Sequence, residues 1–320
     1  MEPVCLVRGS INIDEFFHVP AIVRPGETLS STAFERRAGG KGANQAVALA
    51  QAGAKVVLVG AVGVDGGWLV QDLAARGEPT GRAIIQLTPQ GENSIILHRG
   101  ANYSTSPSPS PNIPYTHLLL QNEIPFSSTL SYLSHAHSTS AVSIFNPSPL
   151  PNADQLRQFP WDSLTWLIVN EGEARGLLDA LDIAAADGDI GDVLWLLYAS
   201  PPFAHTHIIC TMGARGVAAV LSQSTSASAE ADIIYVPAAS LDPDSVRDTT
   251  GAGDCFTGYF VAGLMELQPG GEVLSRGDVL RVLERCVEAA GLCVQRRGAM
   301  ESIPSRAEVD ERVRKRSGEV

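Results

Sequence analysis

Asp248-Thr249-Thr250-Gly251-Ala252-Gly253-Asp254-Cys255-Phe256-Thr257-Gly258 is the stretch on which the fold and chemistry of this chain turn. Gly251, Ala252 and Gly253 carry almost no side chain, so their backbone N–H groups are free to close around an anion. Phe256, Phe260 and Leu264 recur at helical spacing, which sets that cradle at a helix N-terminus. Asp254 falls in the first turn of the same helix. Donors for a phosphate beside an acceptor for a proton are what phosphoryl transfer to a hydroxyl needs. The run also reads as an ordinary Gly-rich loop before a helix with an N-terminal Asp.

A second run, Gly39-Gly40-Lys41-Gly42-Ala43-Asn44, lets a ligand approach the backbone and offers a cation and a two-sided hydrogen-bonder. It lacks GxxxxGK[ST] spacing and follows a strand unlike that of a dinucleotide site, so neither phosphate motif fits. A helix N-cap turn is its other reading. Upstream, Gly9-Ser10-Ile11-Asn12-Ile13-Asp14 alternates so that Asn12 and Asp14 share a face. An amide and a carboxylate side by side suit vicinal sugar hydroxyls, and equally a strand-end turn.

Around these runs, short apolar segments alternate with helix-like ones. Val4–Val7, Val56–Val62, Leu118–Leu120, Val142–Phe145, Leu167–Val169 and His207–Cys210 read as strands. Gly42–Gln51, Trp68–Ala75, Ser128–His137, Glu171–Leu178, Val193–Tyr198 and Val279–Val294 read as helices, with a terminal helix or fray after Arg306. Buried strands interleaved with helices predict an α/β fold with a mostly parallel sheet covered on both faces. Phe16–Phe34 and Arg82–His98 read instead as exposed β segments of a small lid, with turns at Pro25-Gly26 and Pro89-Gln90-Gly91. Ser104–Pro114 and Ser222–Glu230 read as irregular connectors, the second as a hairpin loop.

The formal charge of −12 argues against nucleic-acid and anionic-membrane partners, so an anionic cofactor needs a local cation or a metal. Five cysteines without CxxC spacing predict reduced thiols. No signal peptide is read at the N-terminus, and no apolar run reaches the roughly 18 residues of a membrane span. The expected compartment is the cytoplasm, with the nucleus also open to it.

Taken together, the Gly39–Asn44 run, the Asn12/Asp14 pair and the Asp248–Asp254 run resemble the signatures of the ribokinase-like carbohydrate kinases, the PfkB family. The resemblance extends from Gly9 to Ala299. It implies a ribokinase-like α/β domain over residues 1–320, with a β-sheet lid formed by segments near 13–38 and 82–100. The implied reaction is phosphorylation of the 5-hydroxyl of D-ribose by ATP, with Mg2+, an activating K+ and a homodimer through the lid. Asn12, Asp14, Gly40, Lys41, Asn44 and Glu123 would hold the sugar. Asp254 would act as base beside an anion hole of Gly251, Ala252 and Gly253. Asn170, Thr211, Gly213, Gly216, Gly253 and Val287 would meet ATP, and Asn170 and Glu173 would organise Mg2+, partly through water. Asn170 with Glu173 also reads as a helix cap. Oxygens of Asp248, Thr250, Cys293, Arg296, Gly298 and Ser302 would hold the monovalent cation.

The chain departs from that family at three places. Gly63-Val64-Asp65-Gly66-Gly67 is a shortened turn, Arg76-Gly77 runs almost directly into Glu78–Arg82, and Val287 stands where relatives often carry a polar residue. The alternatives are a kinase for fructose, deoxyribose or a nucleoside, or a catalytically impaired sugar-binding homologue arising from the shortening near Gly77.

Overall fold

A computed structural model describes residues 2–69, 78–89, 92–104, 113–183, 188–222, 233–267 and 274–317. Its strands are β1 (Cys5–Arg8), β2 (Asn12–His18), β3 (Ala33–Gly39), β4 (Val56–Val59), β5 (Gly81–Leu87), β6 (Asn93–His98), β7 (His117–Gln121), β8 (Val142–Asn146), β9 (Trp166–Asn170), β10 (His207–Thr211), β11 (Val217–Val220) and β12 (Ile234–Val236). Its α-helices are α1 (Lys41–Gln51), α2 (Phe126–Ser138), α3 (Ala153–Gln158), α4 (Glu171–Ala180), α5 (Ile190–Ala199), α6 (Ala252–Leu267), α7 (Arg276–Cys293) and α8 (Arg306–Ser317).

Successive side chains of the central strands turn to opposite faces and enter two separate cores. Cys5, Val7, Leu119, Ile144, Trp166, Ile168 and Ile209 enter one, closed by residues of α1, α6, α7 and α8. Leu6, Leu118, Leu120, Phe145, Leu167, Val169 and Ile208 enter the other, under α2 to α5. Burial on both faces explains why these strands read as unbroken apolar runs. The large sheet has the order β12-β11-β10-β9-β8-β7-β1-β4. Pairs from β4 through β10 are parallel, and β11 and β12 add an antiparallel edge.

A separate sheet of order β3-β2-β5-β6 carries the segments expected to form the lid. The parallel β2–β5 ladder is unbroken from Asn12↔Gly81 to His18↔Leu87. Gly63 N donates to Thr80 Oγ1 at 2.9 Å, and Thr80 N and Oγ1 donate to Asp65 Oδ1 at 2.8 and 2.7 Å. Arg82 adds a bond to Asp65 Oδ2 at 2.7 Å. The shortened Gly63–Gly67 turn is therefore tied to the strand that follows, and the small sheet forms with full register. Arg76-Gly77 itself lies outside the described residues, as do 90–91, 105–112 and 223–232.

Several boundaries differ from the sequence reading. The strand expected to reach Val62 ends at Val59, where a 3-10 turn over Val64–Leu69 begins shortly after. That turn takes the start of the helix expected at Trp68–Ala75, whose remainder is not described. The expected Phe16–Phe34 segment is two strands with residues 19–32 between them. The short helix α3 has no counterpart in the sequence reading; Asn152 and Gln155 close it with a reciprocal capping box. The charged C-terminus is helical because Glu288, buried on α7, accepts from Arg312 Nε at 2.6 Å and Arg316 Nη1 at 2.8 Å of α8. Among the described residues no helix is long and apolar enough to cross a membrane.

Candidate active site

The C-terminal ends of the parallel strands carry polar side chains after apolar stretches. Gln121 ends β7, Asn146 β8, Asn170 β9 and Thr211 β10, while Gly9-Ser10 follow β1. In doubly wound sheets this edge is where ligands bind.

The Gly39–Asn44 run crosses this edge. Gly40, at φ 91°, is the N-cap of α1 and supplies no side chain to cap it. The cap comes from elsewhere: Glu123 Oε2 accepts from Lys41 N at 3.1 Å and from Ser10 Oγ at 2.6 Å. Glu123 is thereby fixed against the helix N-terminus, a favourable place for a carboxylate. Asn12 and Asp14 lie on β2, both buried and on one face. Asn12 Oδ1 accepts from Asn102 Nδ2 at 2.7 Å, leaving its own amide N–H groups for another partner. Asp14 packs directly on Gly39, where any Cβ would overlap both carboxylate oxygens.

The second run forms the start of α6 as expected. Gly251, at φ 78°, turns the chain into the helix, and Phe256, Phe260 and Leu264 are buried along its inner face. The first-turn N–H groups of a helix have no intrahelical acceptor. A Cβ built on Gly253 meets nothing within 4 Å, so the space before that turn is open. Asp254 is 7% exposed, and both carboxylate oxygens are held: Asn44 Nδ2 donates to Oδ2 and Gln45 Nε2 to Oδ1, each at 2.9 Å. Runs about two hundred residues apart thus meet at one carboxylate.

Acidic groups dominate the electrostatics. Burial first, then the negative charges of Glu123, Asp254 and Glu301, raises Asp14 from 3.8 to about 7. Burial alone would push the Lys41 ammonium down, but Asp254, Glu123 and Glu173 outweigh it and hold Lys41 above its ordinary value. Lys41 is therefore a cation amid carboxylates, the local positive charge that an acidic chain needs to receive a phosphate. Asp14 Oδ1 and Asn44 Oδ1 are buried without a hydrogen-bond partner. Such groups are the ones a hydroxyl-bearing ligand would satisfy. A cavity of about 390 Å3 has Asn12, Asn102, Tyr103 and Glu123 in its wall, without Asp14 or Asn44.

Further along the edge, Asn170 and Thr211 are register partners of β9 and β10. Asn170 Oδ1 accepts from Glu173 N at 2.8 Å and Glu173 Oε2 from Asn170 N at 2.9 Å, a complete capping box. Gly213 and Gly216 bound the 3-10 turn between β10 and β11, and Arg215 in it pairs with Glu171. Val287 is buried in the core on α7. The 248–250 and 293–302 segments also converge. Asp248 Oδ1 accepts from Thr250 N at 2.9 Å and Oδ2 from Gly298 N at 3.0 Å. Cys293 Sγ lies 3.0 Å from Ser302 Oγ, Arg296 N donates to the Cys293 carbonyl at 3.0 Å, and Ala299 packs on Gly251. All five cysteines are buried free thiols.

Sequence reasoning missed Gln45, Gln121, Asn146, Ser10 and Asn102, all buried and hydrogen-bonded beside the predicted residues. The signal was present for some: Gln45 interrupts the alanine-rich inner face of α1, and Gln121 and Asn146 end apolar strands.

The chain is similar to known proteins over most of its length. The pfkB family carbohydrate kinase model matches residues 4–306. The chain is 33% identical to the ribokinase of Bacillus subtilis (strain 168), over 97% of this chain and 99% of that protein. It superimposes with a TM-score of 0.85 and 47% identity on a Cryptococcus neoformans var. grubii ribokinase in complex with ADP, covering 98% of this chain and 99% of that one. An Arabidopsis thaliana ribokinase complexed with ribose and ATP matches at a TM-score of 0.74 and 26% identity, over 97% of this chain and 98% of that one. With the sheet edge, the glycine runs and the buried carboxylate all accounted for, this chain belongs to the pfkB family of carbohydrate kinases.

Proposed function

We propose that this sugar kinase transfers the γ-phosphoryl group of ATP to the 5-hydroxyl of D-ribose, with Asp254 as base. The observation that carries the reading is Asp254, held on both oxygens beside the open first turn of α6. Asp14, Asn12, Lys41 and Glu123 bind the sugar hydroxyls and aim one of them at Asp254. Gly40 lets the backbone approach, and Asn44 joins the sugar pocket to the base. As the phosphoryl group moves, Asp254 takes the hydroxyl proton, and the N–H groups of Gly251, Ala252 and Gly253 with Lys41 stabilise the phosphoryl charge. Asn170, Thr211, Gly213 and Gly216 receive the nucleotide, with Val287 packing behind.

Among the described residues no cluster of three or more His, Cys, Asp or Glu side chains is arranged for a metal. Mg2+ is commonly held by one or two protein groups, waters and the phosphates themselves. Asn170 and Glu173 would hold it, and bound Mg2+ neutralises phosphate charge. The 248–250 and 293–302 segments converge, and oxygens of Asp248, Thr250, Cys293, Arg296, Gly298 and Ser302 would hold a hard monovalent cation, here K+, bracing the backbone of the anion hole.

The same reading makes residues 1–320 one domain with the small sheet as lid, its segments near 13–38 and 82–100. Phe34, Ile95, Ile96 and Leu97 are large, apolar and exposed on that sheet, and we place a second copy of the chain there. Ile96→Lys is then expected to sediment as a monomer where the unmodified chain sediments as a dimer; a monomer in both removes the dimer. The reduced thiols fit a cytoplasmic enzyme.

Sugar affinity should depend on pH through Asp14, which accepts more strongly from hydroxyls when ionised. Its value is raised to about 7, so the sugar KM falls about tenfold between pH 6 and 8 and then levels. The stability contribution runs the other way: it is fully present below the unfolded carboxylate range and is lost as pH rises through about 7. A KM flat across this window in a pH series removes the role of Asp14.

The decisive experiment is ATP consumption on a panel of pentoses, hexoses and nucleosides, with and without K+. Ribose is expected to give the highest kcat/KM, with K+ raising it. Preference for a nucleoside or hexose overturns the substrate, and ribose binding without turnover overturns the catalytic reading.

A further inference from the structure

The carboxylate of Asp254 is one end of a chain of buried amides. Gln121 Nε2 donates to Gln45 Oε1 at 2.6 Å, and Gln45 Nε2 donates to Asp254 Oδ1 at 2.9 Å and to Asn146 Oδ1 at 3.0 Å. Asn146 Nδ2 is in turn anchored on the Ile168 carbonyl at 2.9 Å. Gln45 and Gln121 are fully buried and Asn146 nearly so. The donors run from Gln121 to Gln45 and branch there, one N–H going to Asp254 and the other to Asn146. Gln45 must present its N–H groups to Asp254, because its carbonyl is already occupied by Gln121 and a flipped amide would set oxygen against oxygen. The anchors sit on β7, β8 and β9, so three adjacent strands of the parallel sheet fix the chain, Gln121 and Asn146 at strand ends.

We propose that Gln45 is a positioning residue for phosphoryl transfer, fixing the orientation of the Asp254 carboxylate through an amide relay braced by Gln121 and Asn146. This rests on Asp254 being the base. Asn44 holds the other oxygen, so two consecutive residues of α1 clamp both carboxylate oxygens from one helix. One bond would leave the carboxylate free to swing about it; two at fixed spacing do not. Where positioning carries most of the catalysis, a loosened base lowers turnover and leaves substrate binding alone.

The test is steady-state kinetics of the full chain with ribose and ATP for Gln45→Met, Gln121→Leu, Asp254→Asn and the double variant Gln45→Met/Asp254→Asn. Gln45→Met keeps the length of the side chain and removes its donors. It is expected to lower kcat about 30-fold with both KM values within about twofold, since a misplaced group costs up to about 10²-fold. Gln121→Leu, which leaves Gln45 in place but unbraced, should lower kcat several-fold in the same pattern and carries the test if Gln45→Met does not fold. In the Asp254→Asn background, Gln45→Met should add less than about a twofold loss, because there is no base left to orient. Unchanged kcat in a folded Gln45→Met, or in Gln121→Leu, overturns the proposal. So does a rise in sugar KM at constant kcat, or a full additional loss in the double variant. If instead Asp254→Asn retains activity, the base assignment fails, and that outcome is separate from the others.

Discussion

Asp254→Asn is expected to lower kcat on ribose about 10³-fold, within the range that a positioned general base contributes. The sugar KM should stay within about threefold. The substitution is nearly isosteric, so the start of α6 and its open anion cradle keep their shape. What disappears is the acceptor for the hydroxyl proton. The introduced amide also presents an N–H₂ group to the two donors that now hold the carboxylate, Asn44 Nδ2 and Gln45 Nε2. One of those contacts becomes donor against donor, which adds local misalignment to the lost basicity. Steady-state kinetics at saturating ATP, with ribose binding followed separately by calorimetry, checks both parts. A kcat within tenfold of the unmodified chain would falsify the assignment of Asp254 as base.

The second large effect concerns the sugar side and arises from one missing side chain. Gly39 ends β3 opposite Asn12 of β2, and a Cβ there would overlap both carboxylate oxygens of Asp14. Gly39→Ala therefore forces Asp14 off the position from which, on the proposed reading, it would face the sugar. A hydrogen bond to a charged group contributes about 1.5–3 kcal/mol, so losing one or two raises the sugar KM about 10²-fold. Turnover at saturating ribose should change less than about fivefold, because Asp254, Asn44 and the α6 cradle are untouched. The ATP KM should not change. A ribose titration at fixed ATP shows the split, and a ribose KM within twofold of the unmodified value sinks the sugar role of Asp14.

The two glycine runs were legible because backbone conformation and close approach leave a direct mark on residue choice. Gly39 has no Cβ because Asp14 occupies its place, and Gly251 turns the chain at φ 78°. The parallel sheet was legible for a similar reason: strands buried on two faces have little choice but to be apolar throughout. Strand and helix ends were less readable. The strand ending at Val59 continues into residues of similar apolarity, and hydrogen bonds to Thr80 and Asp65, distant in sequence, tie down the turn that follows. The short helix α3 has too few turns to show a period, and its capping box alone announces it.

The sequence by itself determined the chemical parts: a carboxylate at a helix start, a glycine cradle, a lysine in a glycine run, and an amide–carboxylate pair on one strand face. Each follows from steric or electrostatic demands that act within a few residues. Tertiary structure alone decided which parts meet. Gln45 reaches Asp254 because α1 and α6 pack on the same face of the sheet, and Gln121 and Asn146 reach Gln45 because their strands end side by side. A hydrogen bond across about two hundred residues leaves no local trace. Its donor is an ordinary glutamine on an alanine-rich helix until the fold supplies its partners.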